Sequence, residues 1–327
     1  MPQMKAIRVE EFGEPDVLEY VDVERPSPDE GEALIEVRSV GVNYADTMRR
    51  RNQYVEHQEL PFTPGSEIAG TVAEVGEGVE EVSLGDRVVT LLGTGGYTEY
   101  TGAPARNLIP IPYGLDFDEA AAIPLQGLTA YHVLETSGQL EEGESVLVHA
   151  GGGGVGSLSV QMAKLMGASP VIATASTQEK LDLAKDLGAD VLIDYTEDDW
   201  TEQVREATDG NGADVILEMV GGDFPRKNLQ CLNAFGRMVV FGAASGDRGS
   251  LVPAELMKKN HAVIGFYLPN IMVRPELFGP SLKRVLAWIS SDDLKLTISA
   301  RYPLEKAREA HEAPEGRETS GKIILNP

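Results

Sequence analysis

Cysteine is almost missing from this chain. Cys231 stands alone in 327 residues, which excludes an internal disulfide and any cysteine-rich metal site. Positive charge is scarce too: 28 lysines and arginines face 52 aspartates and glutamates, and no lysine occurs between Lys5 and Lys164. The net charge of −24 creates a field that repels nucleic acid and anionic membrane, so neither is expected as a partner. No apolar run approaches the ~20 residues that a bilayer-spanning helix needs. The opening MPQMKAIRVEEFG has no basic region followed by an apolar block, so it does not read as a signal peptide. A cytoplasmic location is the default expectation. The length suggests two domains with a sizeable core.

What the chain does have is a glycine-rich turn around which the rest is organised. Val146-Leu147-Val148 is an apolar run of the kind buried on both faces of a parallel sheet. Gly151, Gly152, Gly153, Gly154 and Gly156 follow, and then Val155, Leu158, Val160 and Met162 recur at the spacing of a packed helix. Gly151, Gly153 and Gly156 fit G-x-G-x-x-G in its proper setting of strand, loop and helix, where backbone amides meet a pyrophosphate. The pattern assigns Gly151 to the tight turn, Gly153 to the approach of phosphate, and Gly156 to packing of helix on strand. Gly154 and Val155 supply first-turn amides.

Around this motif the chain changes character twice. Residues 4 to about 120 read as short β elements separated by turns, with a helix near Tyr44–Arg51. From DEAAAIPLQGLTAYHVL onward, strands (VIATAS, VLIDY, DVILEMV, RMVVFG) alternate with helices (QEKLDLAKDLG, WTEQVREAT), as a doubly wound parallel sheet requires. Past Phe266 the pattern shifts back, and GKIILNP has no place in that sheet. The expectation is an α/β fold: a β-rich domain over 1–122 and 266–327, with a nucleotide-binding Rossmann domain, 123–265, inserted in it.

The second strand of that domain ends Ala173-Thr174-Ala175-Ser176, with no carboxylate where an NAD-preferring fold would bind the ribose hydroxyls. Ser176 offers a hydroxyl there, and Lys180 a positive charge one helical turn later.

Six phrases in order resemble the medium-chain dehydrogenase/reductase superfamily, most closely its zinc-free quinone oxidoreductase (zeta-crystallin-like) branch. They are GVNYAD (41–46), PFTPGSEIAG (61–70), GDRV (85–88), AAIPLQGLTAYH (121–132), HAGGGGVG (149–156) and GKIIL (321–325). The resemblance implies a GroES-like β-rich catalytic domain, an active site in the cleft between the domains, and a homodimer. It implies that Ser176, Lys180 and Tyr195 hold a 2′-phosphate, making NADPH the cofactor. Thr129 would lie beside the nicotinamide, with Phe241 and Gly242 near its ribose. Asn43 would donate to a developing oxyanion, and Tyr54 would donate its hydroxyl or stack on a flat ring.

Zinc-dependent members keep cysteine and Gly-His-Glu ligands where this chain has Asn43-Tyr44 and Gly65-Ser66-Glu67, so no metal is expected. Without a Lewis acid the acceptor must already be electrophilic. A small quinone leads; an enone or enoyl substrate is the alternative, and a non-catalytic NADPH-binding protein the different-class reading. Tyr44 is a further cleft candidate, Asp46 and Glu67 read as buttresses, and Arg49-Arg50-Arg51 as a solvated helix face. His132 and His149 read as core histidines.

So acidic a composition resembles that of proteins from salt-loving organisms, whose surfaces need salt to screen their own repulsion. The melting temperature should rise as molar KCl is added; a melting temperature indifferent to KCl contradicts the halophilic expectation.

Overall fold

The structure, a computed structural model, describes residues 2–316 and 320–327. It divides into two compact units. One comprises Met1–Leu125, Ile271–Asp292 and Leu296–Pro327; the other comprises Gln126–Asn270 and Asp293–Lys295. The breaks fall after Leu125 and Asn270, three and five residues beyond those read from the sequence.

The first unit is built on a mixed seven-stranded sheet. Its order is Ile298–Pro303, Lys322–Asn326, Glu32–Val42, Glu67–Val75, Arg87–Leu91 and Ile109–Pro110, with Tyr100–Pro104 also paired to Glu32–Val42. Gln3–Arg8 and Glu19–Glu24 form a separate antiparallel pair. Val37, Val40, Ile68, Val72, Tyr97, Ile323 and Leu325 fill the core. Register decides what meets at one end of this sheet. Ile323 pairs with Val42, and Ile68 pairs with Val40. Lys322, Asn43 and Glu67 therefore come together from three neighbouring strands, although 279 residues separate Lys322 from Asn43.

The second unit is a six-stranded parallel sheet. Val191–Asp194, Val171–Ala175, Val146–Val148, Ala213–Glu218, Leu232–Val240 and Ala262–Gly265 lie side by side in that order. Numbered along the chain this is 3-2-1-4-5-6, the Rossmann order, with the reversal beside Val146–Val148. All three residues of that strand are buried, as a strand covered on both faces must be. Leu147, Ile172, Ile193, Ile216 and Met238 pack with the fully buried Trp200. Each large apolar side chain so buried contributes roughly 1.5–3 kcal/mol. Among the described residues no helix is long and apolar enough to cross a membrane.

The arginine run departs from expectation. Tyr44–Arg50 is a helix, but Arg49 and Arg50 are buried rather than solvated. The guanidinium fork of Arg50 is satisfied on every side: it donates to Gly13 O at 3.0 Å and Glu315 at 2.7 Å, and lies 3.1 Å from His311 Nδ1. His311 Nε2 in turn lies 3.0 Å from the Tyr97 hydroxyl. Five planar donors can be matched inside a protein where a lone charge could not.

His132 and His311 are both buried, and burial holds their ionisation down to about 4 and about 3. Unfolded histidine titrates near 6.5, so below that pH the unfolded state gains protons that the folded state refuses. Stability is therefore full above about pH 6.5 and declines as pH falls towards the folded values. Urea midpoints measured from pH 6.5 to 5, above the ordinary carboxylate range, should fall steadily; a constant midpoint contradicts this.

Candidate dinucleotide and acceptor sites

In the second unit the chain leaves Val146–Val148 through His149 and turns sharply at Ala150, whose φ is +52°. The left-handed residue of the turn is thus Ala150, not Gly151. Gly151 is needed for closeness instead: a Cβ there would lie 2.8 Å from Ala173 Cβ. Gly156 is the most crowded, since its Cβ would come 2.0 Å from the carbonyl oxygen of Ala150. That contact seats the helix Gly154–Leu165 directly on the end of the strand. Gly153, the residue before the helix, is the least crowded of the three, with Ala150 O at 3.1 Å and Ala150 Cβ at 3.8 Å from its Cβ position. Gly154 is closed by the side chain of Gln126, 2.3 Å from its Cβ position, a neighbour that the sequence reading missed. No side chain among the described residues caps the helix. The first-turn amides of Gly154, Val155 and Gly156 lack intrahelical acceptors and favour an anion.

Two further strands and the helix between them bring three more residues to the same carboxyl edge. Ser176 follows Val171–Ala175 and is half-buried. Asp194 pairs with Ala175, so Tyr195 follows in the next row, with its amide on Ala175 O at 3.2 Å. The Tyr195 ring is held edge-on to Phe224 at 5.5 Å. Lys180 lies in the first turn of Gln178–Asp186, and its Cβ is 2.8 Å from the Cβ position of Gly152. The glycine loop and Lys180 are therefore in contact. The carboxylate closest in register, Asp194, accepts from Thr196 N at 2.8 Å and Thr196 Oγ1 at 2.7 Å. Those bonds hold its ionisation below the usual range and turn it into a cap.

Farther along the edge, Phe241 follows Leu232–Val240 and donates its amide to Glu218 O at 3.0 Å. Gly242 lies against Met219, whose Cβ is 3.2 Å from a would-be Cβ. Thr129 is buried on the helix Pro124–His132. His149 is in the core with its imidazole held neutral by burial.

In the first unit Asn43 and Tyr54 stand in different settings. Asn43 is buried: its amide nitrogen donates to Glu67 Oε1 at 2.8 Å and to Gly41 O at 3.4 Å, and its oxygen accepts from Lys322 Nζ at 2.7 Å. Lys322 also donates to Glu67 Oε1, and Glu67 Oε2 accepts from Leu125 N at 2.6 Å. The oxyanion donor expected at Asn43 is thus first a member of a buried support network. Asp46 accepts from Asn43 N at 3.0 Å and from Ser66 Oγ at 3.0 Å, and burial raises its ionisation above the usual carboxylate range. Arg49 Nη1 donates to Ser66 Oγ at 2.7 Å and Gly93 O at 2.6 Å. Its guanidinium also lies over the Tyr54 ring, 4.5 Å from the centroid. Tyr54 is half-buried, and Tyr44 is exposed.

Lys322 was not singled out in the sequence, although a lysine opening an apolar terminal strand was the available signal. Its position bears on metal binding. The ammonium already neutralises Glu67, and amide, carboxylate and hydroxyl side chains stand in place of thiolates and imidazoles. This donor set does not fit zinc. The described residues contain no group of three or more His, Cys, Asp or Glu placed to bind a metal ion. Cys231 is buried with its thiol pushed up to about 12.

Comparison with known proteins gives two family matches. Residues 29–113 match the alcohol dehydrogenase GroES-like domain, and residues 154–287 match the family described as zinc-binding dehydrogenase. Human quinone oxidoreductase is 36% identical over 327 aligned positions, covering 98% of this chain and 97% of that protein. The solved structure of Escherichia coli quinone oxidoreductase complexed with NADPH is 33% identical and superposes with a TM-score of 0.94, over 99% of this chain and 100% of that one. Mycobacterial Rv1454c complexed with NADPH is 39% identical with a TM-score of 0.93 and the same coverage.

Two glycine variants separate packing from ligand approach. Gly153→Ala should lower the melting temperature only slightly, its methyl group standing 3.1 Å from Ala150 O, and should lose most dinucleotide affinity, because the motif reading brings the phosphate to this residue. Gly156→Ala should lower the melting temperature as well, since the methyl collides with backbone. Unchanged dinucleotide affinity in Gly153→Ala, by titration calorimetry, contradicts the assignment.

Proposed function

We propose, starting from the fact that the chain belongs to the quinone oxidoreductase family of the medium-chain dehydrogenase/reductase superfamily, that it reduces small quinones with NADPH by hydride transfer without a metal ion. The observation that carries the reading is the carboxyl edge of the parallel sheet. Ser176, Lys180 and Tyr195 gather there beside the glycine loop, and the carboxylate closest in register, Asp194, accepts two bonds from Thr196. Relatives solved with NADPH support the same choice.

The residues would divide the work as follows. Gly151 and Gly156 shape the loop, Gly153 leaves room for phosphate, and the amides of Gly154, Val155 and Gly156 receive the pyrophosphate. Ser176, Lys180 and Tyr195 take the 2′-phosphate, while Thr129, Phe241 and Gly242 line the nicotinamide and its ribose. The bound cofactor supplies a hydride from its nicotinamide ring. Asn43 keeps one amide hydrogen on the long 3.4 Å contact with Gly41 O, and that weakly held hydrogen is the one available to a quinone oxygen as charge develops. Tyr54, braced by Arg49, offers a fixed ring on which a flat acceptor can stack. Much of the rate then comes from positioning.

A homodimer in a cytoplasmic, salt-rich setting completes the proposal. Among the described residues the strand Ala262–Gly265 ends the parallel sheet with one edge unpaired, where a second copy could add its own.

Steady-state assays with NADPH and NADH test the reading in wild type and Lys180→Ala, using naphthoquinones and 2-alkenals as acceptors. Wild type should oxidise NADPH with naphthoquinones. Lys180→Ala should raise KM for NADPH about tenfold or more, the loss of one hydrogen bond to a charged group, and leave NADH alone. An equal effect on both cofactors removes the 2′-phosphate assignment, and turnover of 2-alkenals alone replaces the quinone with an enone.

A further inference from the structure

Beneath the glycine loop lies a chain of polar side chains that hydride transfer does not use. Thr174, His149, Asn228 and Glu218 are all buried. Thr174 Oγ1 lies 2.9 Å from His149 Nδ1, and His149 Nε2 lies 2.8 Å from Asn228 Oδ1. Asn228 Nδ2 donates to Glu218 Oε2 at 2.5 Å. The other carboxylate oxygen, Oε1, accepts from Val220 N at 2.6 Å and Gly221 N at 2.8 Å.

These contacts determine one another. A carboxylate only accepts, so the Asn228 nitrogen must face Glu218 and the Asn228 oxygen must face His149. His149 then carries its proton on Nε2 and presents Nδ1 as an acceptor, to which the Thr174 hydroxyl donates. Trp200 and Phe224 meet the imidazole edge-on at 5.4 and 5.2 Å and keep it in that orientation. Among the described residues no lysine or arginine pairs with Glu218, and His149 Nε2 lies 3.9 Å from its Oε2; a carboxylate buried in this way is costly to folding.

What the two ends hold is informative. His149 immediately precedes Ala150, from which the whole glycine loop departs. Glu218 holds the turn 219–222, where Gly221 and Gly222 have φ of +78° and +58°. From that turn hangs the loop after Phe241 and Gly242: Met219 O accepts from Ala244 N at 2.9 Å, Val220 O accepts from Ser245 N at 2.9 Å, and Gly222 N donates to Asp247 O at 2.8 Å. One buried relay thus links the loop assigned to the pyrophosphate with the loop assigned to the nicotinamide ribose.

We propose that Glu218, Asn228 and His149 are positioning residues that fix these two loops relative to each other, so that the pyrophosphate and the nicotinamide of NADPH are seated together. The inference rests on the NADPH reading above. It distinguishes the two ends of the cofactor, because Ser176, Lys180 and Tyr195 are not members of the relay, Tyr195 reaching it only through the ring of Phe224.

The test is calorimetric titration of wild type and Glu218→Gln with NADPH and with 2′,5′-ADP, which carries the 2′-phosphate but neither pyrophosphate nor nicotinamide. The glutamine is isosteric but cannot accept both from the loop amides and from Asn228. NADPH should bind about tenfold or more weakly to the variant, the scale of one lost hydrogen bond to a charged group, while 2′,5′-ADP binds as to wild type. Equal losses for both ligands, or unchanged NADPH affinity, overturn the proposal. Failure of wild type to bind NADPH at all would instead refute the cofactor reading. Should Glu218→Gln not fold, Thr174→Val, which removes the donor at the other end, is judged by the same split.

Discussion

The carbonyl oxygen of Ala150 lies 2.0 Å from where a Cβ on Gly156 would be, and much else in the second unit follows from that approach. It makes the helix Gly154–Leu165 start on the heels of the strand Val146–Val148, so its free amides open at the carboxyl edge of the sheet. It also demands the left-handed turn at Ala150, since no extended residue could bring the chain back so tightly. Ser176 and Tyr195, proposed to meet the 2′-phosphate, are then carried to the same edge by Val171–Ala175 and Val191–Asp194. The electrostatics make this local arrangement necessary. A chain of net charge −24 repels a polyanionic cofactor at long range. At physiological ionic strength that repulsion is screened beyond about 8 Å, whereas the hydrogen bonds proposed from the loop amides and Lys180 to phosphate would contribute about 1.5–3 kcal/mol each. The short-range contacts win, provided that they are pre-arranged.

The first unit solves a different problem, that of placing charges inside a β-rich core. Glu67 with Lys322, and Asp46 with Arg49 through Ser66, bring two carboxyl groups and two basic side chains into one buried network. Removing a single partner from a buried pair costs about 3–5 kcal/mol, because the survivor is left unpaired. The same network holds Asn43 by its backbone and its side chain, and through Arg49 it braces Tyr54. The groups suggested for acceptor binding are thus fixed by residues that need never touch an acceptor.

The features legible in the sequence were those that are local along the chain. Strand, glycine spacing and helix lie within twenty residues, and the missing carboxylate after Ala175 could be read directly. Ser176, Lys180 and Tyr195 needed the family likeness to become a group; the parallel register puts Ser176 and Tyr195 on one edge, and the helix Gln178–Asp186 brings Lys180 to the glycine loop. Three things were hidden. The positive φ falls on Ala150, not on a glycine, and composition gives no hint of that. The arginine run looks solvated because arginine usually is; only the fold supplies Gly13, His311 and Glu315 as partners for Arg50. Lys322 meets Asn43, and His149 meets Asn228, through pairings that span 279 and 79 residues and depend on register.

The central claim is that a phosphorylated nicotinamide dinucleotide is held at both of its anionic groups by the carboxyl edge of the parallel sheet. Phosphorus-31 NMR of NADPH in the presence of the protein observes those groups separately. Both the 2′-phosphate and the pyrophosphate resonances should shift and broaden on binding. A 2′-phosphate resonance that stays in place while the pyrophosphate moves would contradict the account.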